Sequence, residues 1–244
     1  MQSSAKKIAL VTGANKGIGF EVARQVAASG CIVLLGARNQ ALGEEAAATL
    51  RAESLDVRYL AIDLDDRATI AAAAQSIARD FGRLDILVNN AGMVHPNDGS
   101  PGTAALEAIE RALHVNFVGT VAVTQAMLPL LRNAPSARIV NVSSNLGSLT
   151  RNTDPQFAES AIKYFGYSAS KAALNMLTLQ LAWELRGTAI KINSAAPGYT
   201  ATDLNSHRGT QTIPQGAAEV VRLALLPDDG PTGAYSSRSG TVPW

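Results

Sequence analysis

The run Tyr167-Ser168-Ala169-Ser170-Lys171 places a phenol and an ammonium four positions apart. On a helix those side chains share one face, about 6 Å apart along the axis. A cation beside a tyrosine favours the phenolate, and moving the pKa from about 10 towards 7 corresponds to about 4 kcal/mol of differential interaction. A tyrosine tuned in that way can give up a proton near neutral pH, as a general acid must. The pair is not decisive alone, because Tyr and Lys at this spacing also occur on solvated helix faces. Tyr164 offers no such partner, since Ser168 stands four residues on.

A second run with chemical potential is Thr12-Gly13-Ala14-Asn15-Lys16-Gly17-Ile18-Gly19. It follows a short apolar segment and opens a helix-period one. Glycines there let the backbone turn tightly and approach a pyrophosphate, whose charge suits a helix N-terminus. The bland alternative is an ordinary glycine-rich turn. The next apolar segment ends Leu35-Gly36-Ala37-Arg38. An acid near that point, about 20 residues past the glycines, would hold a ribose 2′-hydroxyl. This chain has Arg38 instead, with Lys16 inside the glycine loop. Two cations at that corner suit a 2′-phosphate and argue for NADPH, unless Arg38 merely caps the strand and Lys16 is solvated.

These residues need elements to position them. Apolar runs at 7–12, 31–36, 57–62, 84–89, 137–142 and 190–194, with a weaker one at 233–236, are dense in Ile, Val and Leu. Strands buried on both faces of a parallel sheet read that way. Between them the apolar spacing becomes three and four: Ile18, Val22, Val26; Leu42, Ala46, Leu50; Ile70, Ile77, Phe81; Leu106, Ile109, Leu113; and Leu174, Leu177, Leu181, Leu185. Asn39 and Asp65 are expected N-caps, and Gly30 and Gly82 expected C-caps. The rhythm predicts a single-domain, α/β, Rossmann-type doubly wound parallel sheet of about seven strands with helices on both faces. Irregular stretches at 93–102, 148–166 and 198–214 follow strand C-termini, the edge where such sheets bind ligands.

Composition sets the outer bounds. At roughly 150 residues per domain, 244 residues give one large domain or two small ones. Twenty-one Lys+Arg against 20 Asp+Glu give a net charge of +1, which is no footprint for nucleic acid. The single cysteine, Cys31, excludes an internal disulfide and reads as packing in a strand. His95, His114 and His207 lack metal-ligand spacing, so no metal is expected. The uncharged stretch 112–131 carries His114, Asn116, Thr120, Thr124, Gln125 and Pro129 and reads as a poor membrane span. Residues 1–7 form a short polar lead, and the expected location is cytoplasmic.

The glycine run, Asn89-Asn90-Ala91-Gly92, Asn116, Ser143-Ser144, Tyr167 with Lys171, and Pro197-Gly198 stand in that order along the chain. Together they identify the sequence as resembling the short-chain dehydrogenase/reductases over almost its whole length. The wording of the glycine run, the Gly-Ala-Arg strand end and the Val-Pro-Trp tail are similar to the NADPH-dependent carbonyl reductase branch. The resemblance implies an oxidoreductase that passes a hydride from NADPH to the carbonyl of a small ketone, aldehyde or quinone-like substrate. Ser144 would polarise the carbonyl, Tyr167 protonate it, and Lys171 lower the tyrosine pKa and grip the nicotinamide ribose. Asn116 would support the lysine through a water. Ser143 competes for the serine role; adjacent strand residues face opposite ways, and Gly147, three past Ser144, fits the family pattern.

By the same resemblance Gly13, Asn15, Lys16, Gly17, Ile18, Gly19 and Arg38 hold the phosphates. Asp63 and Leu64 meet the adenine, Asn90, Ala91 and Gly92 the ribose, and Pro197, Gly198, Thr200 and Thr202 the carboxamide side. A helix cap is the bland reading of Asp63, and a structural turn that of Asn90. The chain divides into a cofactor-binding half at about 1–142 and a catalytic and substrate half at about 143–244. Ser144 and Tyr167 stand 23 positions apart, wider than the common family pattern, and the excess falls in a loop at about 149–166. An insertion there could block subunit pairing, so a monomer is favoured over a dimer or tetramer. Trp183 is expected to pack against a neighbour, and Trp244 either docks on the body or lines the pocket. An NADP-dependent alcohol dehydrogenase working oxidatively and a non-catalytic NADPH sensor are the alternatives.

Overall fold

Residues 6–157, 159 and 163–244 are described in the computed structural model; 158 and 160–162 of the predicted insertion lie outside them. The strands are β1 (Ile8–Thr12), β2 (Ile32–Ala37), β3 (Val57–Ala61), β4 (Ile86–Asn89), β5 (Arg138–Val142), β6 (Lys191–Ala196), β7 (Tyr235–Ser237) and β8 (Gly240–Thr241). The helices are α1 (Gly17–Ala28), α2 (Gln40–Ala52), α3 (Arg67–Phe81), α4 (Leu106–Leu113), α5 (Thr120–Arg132), α6 (Leu149–Asn152), α7 (Phe165–Glu184) and α8 (Ile213–Ala224).

The strands form one sheet in the order β3-β2-β1-β4-β5-β6-β7-β8. Every pairing is parallel except the last. The eighth strand is a two-residue antiparallel addition beyond the seven expected. Side chains alternate across the sheet. Ala9, Val11, Val33 and Leu35 enter a core covered by α1 and α8, while Ile8, Leu10, Leu34 and Ile139 enter one covered by α3, α5 and α7. The sequence order reverses between β1 and β4, so the carboxyl ends of those strands open a crevice there.

A buried polar ladder locks the crevice floor. Asn89 Nδ2 donates to Asn141 Oδ1 at 2.8 Å and to Thr124 at 3.0 Å. Asn141 Nδ2 donates to Thr178 at 2.8 Å, and Thr178 shares a hydrogen bond with Ser194 at 2.8 Å. This ladder ties α5 and α7 to three neighbouring strands. Because unpaired amides in such a core are costly, it fixes the rotation of α7 about its axis. Thr178 and Lys171 are seven residues apart, two helical turns on one face, so the rotation also decides where Lys171 points.

Several local expectations change. Asp66, not Asp65, caps α3 by accepting the Ala68 N–H at 2.8 Å, because Asp65 is engaged by Arg111 and His114. Two other caps hold: Asn39 accepts the Leu42 N–H, and Gly82 ends α3 in the left-handed conformation; α1 is capped by Ser29, with Gly30 the positive-φ residue just after it. β3 is an edge strand with Arg58 and Ala61 exposed, not one buried on both faces. α4 buries Ala108 and Ala112 rather than Leu106, Ile109 and Leu113; Leu106 is exposed. The reason is close approach, since a Cβ on Gly166 of α7 would stand 2.9 Å from Ile109 Cα. Leu42 is likewise exposed, and Trp183 is exposed on α7 with the Arg186 guanidinium stacked over it at 4.2 Å. The helical stretch Leu106–Arg132 is long and apolar enough to cross a membrane by length and composition. Here Val123, Met127 and Leu131 of that stretch are fully buried in the core beneath the sheet.

Candidate active site

A cleft of about 810 Å³ runs along the carboxyl edge of the sheet, and every predicted site residue except Asn116 lines it. At one end is the glycine loop. Gly13 and Gly17 have φ of +62° and +60°, a region that disfavours other residues. Gly19 is needed for contact: a Cβ there would meet Asn90 Nδ2 at 2.3 Å and the Gly13 carbonyl at 2.6 Å. Asn90 Nδ2 donates to the Thr12 and Gly13 carbonyls at 2.9 and 3.1 Å, so the structural reading of Asn90 holds alongside its place in the cleft. The N-cap of α1 is Lys16, whose side chain makes no cap hydrogen bond. The first-turn N–H groups are therefore available to an anion. The loop fits the pyrophosphate of a dinucleotide.

Arg38 stands exposed at the end of β2 and, among the described residues, makes no ion pair or hydrogen bond. Lys16 does not converge on it. Its ammonium instead meets Asp203 at 2.6 Å, and Asp203 also takes His207 at 2.8 Å. The segment after β6 is thereby clasped to the glycine loop. The corner suited to a 2′-phosphate is left to Arg38 alone.

At the other end stand Ser144, Tyr167 and Lys171. Ser144 follows β5 and caps a short 3-10 turn, Asn145–Gly147, by accepting the Leu146 N–H at 3.2 Å. Gly147 lets this turn lie on α7, since a Cβ there would be 2.8 Å from both the Cβ and the carbonyl carbon of Lys171. Of the two serines, Ser144 is the one whose hydroxyl acts on the Tyr167 phenol, lowering its pKa against the effect of burial. Ser143 is buried, with its hydroxyl 3.5 Å from the Lys171 carbonyl. The partner of the tyrosine is therefore Ser144.

Lys171 is only 3% exposed and donates to the Val142 carbonyl at 2.7 Å; its Nζ lies 5.6 Å from the Tyr167 ring centre. Burial lowers its pKa to about 8, because the charged form loses water. The expected lowering of the tyrosine pKa is not what this arrangement produces. Burial pushes the Tyr167 phenol up to about 12, the Ser144 hydroxyl pulling against it and the Glu159 charge adding to it. The phenol is thus held protonated, as an acid waiting for a base.

Asn116 sits in a π-helical turn, His114–Gly119, between α4 and α5. Its side chain is wholly buried and committed. Oδ1 accepts the Met93 N–H at 2.8 Å, and Nδ2 donates to the Met93 carbonyl and to Ser170, each at 2.9 Å. It braces the β4 exit loop against α7 rather than touching Lys171 directly.

Two contributors, Asp98 and Glu159, carry no motif, and the C-terminal tail has a role that its Val-Pro-Trp likeness does not state. Asp98 accepts the N–H groups of Gly166 and Tyr167 at the start of α7, at 2.9 and 2.8 Å. Its only sequence signal was membership of an irregular stretch. Glu159 lines the cleft from within the insertion. The C-terminal tail braces the serine turn: Tyr235 donates to the Ser144 carbonyl, and the Trp244 ring packs 5.2 Å from Tyr235. Ser148 donates to the Pro243 carbonyl at 2.6 Å. Trp244 is docked on the body and does not line the cleft.

Known proteins carry the same pattern. A family model described as short chain dehydrogenase matches residues 7–212. The chain belongs to the short-chain dehydrogenase family. It is 33% identical to an Arabidopsis thaliana protein named (+)-neomenthol dehydrogenase, covering 98% of each. It is also 33% identical to Mus musculus carbonyl reductase [NADPH] 1, covering 99% of this chain and 100% of that one. Among solved structures, NADPH-bound carbonyl reductase from chicken fatty liver matches with a TM-score of 0.84 at 27% identity, over 98% of this chain and 99% of the other. As a short-chain dehydrogenase the chain is an oxidoreductase with a Rossmann-type fold, as the motif order implied.

Proposed function

We propose that this short-chain dehydrogenase is an NADPH-dependent reductase of small ketones, aldehydes or quinone-like carbonyls. The observation that carries the reading is that Ser144, Tyr167 and buried Lys171 line the same cleft as the glycine loop. The printed names of its relatives, carbonyl reductase among them, support the same chemistry. The glycine loop would hold the pyrophosphate, Arg38 the 2′-phosphate, and Lys171 the nicotinamide ribose. When bound, the cofactor supplies a hydride equivalent.

This chain's own residues then manage the oxygen. Ser144 donates to the carbonyl oxygen and holds it at Tyr167. As negative charge develops there, the phenol hands over its proton and the alkoxide becomes an alcohol. The net change is one hydride and one proton added across C=O. Fixed donors act most strongly where charge appears only in the transition state. Lys171 stabilises the phenolate left behind, and Asn116 keeps the adjoining backbone in register. The phenol, held protonated at neutral pH, starts in the state a proton donor needs. In the same reading the enzyme works as a cytoplasmic monomer; sedimentation at 25.4 kDa is the expected result.

The test follows NADPH consumption by absorbance across quinones, isatins, keto esters and aldehydes. Tyr167→Phe should keep cofactor affinity and lose about 10²- to 10⁴-fold in turnover. Retained turnover in Tyr167→Phe with loss in Tyr164→Phe would overturn the assignment. Tight NADPH binding with no turnover anywhere on the panel would favour a sensor.

A further inference from the structure

Asn89, Asn141 and Ser194 of the buried ladder stand side by side on β4, β5 and β6, and the residue beside Ser194 on β7 is Tyr235. Neighbours in register share a face, so Tyr235 extends that row on the side covered by α7. It is 1% exposed. Its hydroxyl leaves the row, crosses β6 and donates to the Ser144 carbonyl just past the end of β5. Ala196 of β6, which packs with Tyr235, has only a methyl group to stand in the way.

The Ser144 carbonyl thereby holds two donors, the Tyr235 phenol and the Gly147 N–H at 2.8 Å. A carbonyl oxygen has two lone pairs, so the peptide after Ser144 is fixed from two directions. The rest of the serine turn is gripped in the same way. Asn175 Nδ2 of α7 donates to the Gly147 carbonyl at 3.2 Å, Ser148 to the Pro243 carbonyl at 2.6 Å, and the Thr150 N–H to the Trp244 carbonyl at 2.9 Å. The Trp244 ring closes the circuit by packing on Tyr235. Burial pushes the Tyr235 phenol up to about 12, so it remains a donor through the neutral range. Neither Tyr235 nor Trp244 lines the cleft. A phenylalanine would fill the same space with no buried hydroxyl to satisfy. What the hydroxyl adds is a fixed distance from β7 to the peptide that carries the serine.

We propose that Tyr235 is a positioning residue for Ser144, locked by the Val242-Pro243-Trp244 segment, so that the C-terminal end of the chain sets kcat from outside the cleft. The inference rests on the reductase reading, in which Ser144 holds the carbonyl oxygen, and adds the residues that aim it.

The test is a double-mutant cycle read with the best carbonyl of the panel. Tyr235→Phe keeps the ring and removes the hydroxyl. It should melt within a few degrees of wild type, keep NADPH affinity and lower kcat about tenfold, because small misplacements at a reacting centre are costly. In a Ser144→Ala background the same change should alter kcat by less than about twofold, since the group it aims is gone. A tenfold loss in both backgrounds marks general loosening and overturns the assignment, as does an unchanged kcat in Tyr235→Phe. Trp244→Ala covers a Tyr235 variant that fails to fold: kcat should fall in the same Ser144-dependent way and recover in Trp244→Phe, and a loss independent of Ser144 overturns the lock. A second readout needs no turnover. Amide exchange at Gly147, whose N–H shares the Ser144 carbonyl, should quicken about tenfold in Tyr235→Phe while the β1 amides stay protected. Unchanged exchange at Gly147 overturns the positioning whatever the kinetics. Faster exchange there, with no carbonyl reduced by the wild type, retains the hold on Ser144 and removes the reductase. Reduction by the wild type, with kcat and Gly147 exchange both unaltered in Tyr235→Phe, does the reverse.

Discussion

The carboxylate of Asp98 accepts the backbone N–H of Tyr167 at 2.8 Å across 69 positions of sequence. Its other oxygen takes the Gly166 N–H at 2.9 Å. Helix α7 begins after Tyr164, which gives it no side-chain cap, so the cap arrives from the loop that leaves β4. An anion there also meets the positive end of the helix dipole. The residue that presents the proton is thus held by a charge from the loop that leaves β4.

If Asp98 positions Tyr167, weakening the cap should lower kcat more than cofactor affinity. Asp98→Asn keeps the shape and removes the charge, and kcat should fall about tenfold, or ~1.4 kcal/mol. Asp98→Ala should also lose about 1 kcal/mol of stability, the usual worth of a helix cap. Single-turnover rates with a titrated cofactor would check this; an equal loss in NADPH affinity would instead mark a collapsed loop.

Arg38 should set the cofactor. Arg38→Asp removes the free guanidinium at the end of β2 and should shift preference from NADPH towards NADH by one to two decades, about 1.4 to 3 kcal/mol. Lys16→Ala should do less, because that ammonium is already engaged with Asp203. Comparison of kcat/KM with the two cofactors decides it. An unchanged ratio in Arg38→Asp would remove Arg38 from the phosphate corner.

The buried ammonium of Lys171 predicts two effects of pH. Its pKa falls from 10.5 to about 8 on folding. Below pH 8 it is charged in both states, and the cost of burying that charge is present in full. Between pH 8 and 10.5 the unfolded chain binds more protons, so this residue makes the folded chain relatively more stable as pH rises. Tyr167, raised to about 12, works the other way above pH 10. Activity should follow the charge: kcat/KM for reduction should fall above about pH 8 as Lys171 becomes neutral. Lys171→Met should remove both the inflection and the stability gain, measured by pH–rate profiles and by denaturant unfolding.

Gly19→Ala tests the cradle. The added methyl would meet Asn90 Nδ2 at 2.3 Å and the Gly13 carbonyl at 2.6 Å, so the β4 turn must move. Overpacking of that kind costs about 1–3 kcal/mol. Fluorescence titration should show weaker NADPH binding together with a lower melting temperature, whereas Gly30→Ala, with open space around its Cβ, should leave NADPH affinity alone.

The sequence by itself determined the sheet, its parallel sense, the glycine loop after β1, and the pairing of Tyr167 with Lys171 on one helix. Those follow from local pattern: buried strands must be apolar, and a tyrosine and lysine four apart on a helix must share a face. Ser144 needed the glycine at 147 to be recognised, and the close approach of that turn to Lys171 is the physical reason the glycine is there. Tertiary structure decided the rest. Whether the lysine lowers the tyrosine pKa depends on burial, which raises it instead. Whether Lys16 reaches the phosphate corner depends on Asp203, 187 positions away. The face that α4 buries depends on how closely α7 approaches, and the cap of α7 comes from Asp98 in a loop with no pattern of its own. Periodicity records how a segment meets the core. Desolvation, ion pairing and caps supplied from afar depend on which distant residue arrives, and only the folded chain fixes that.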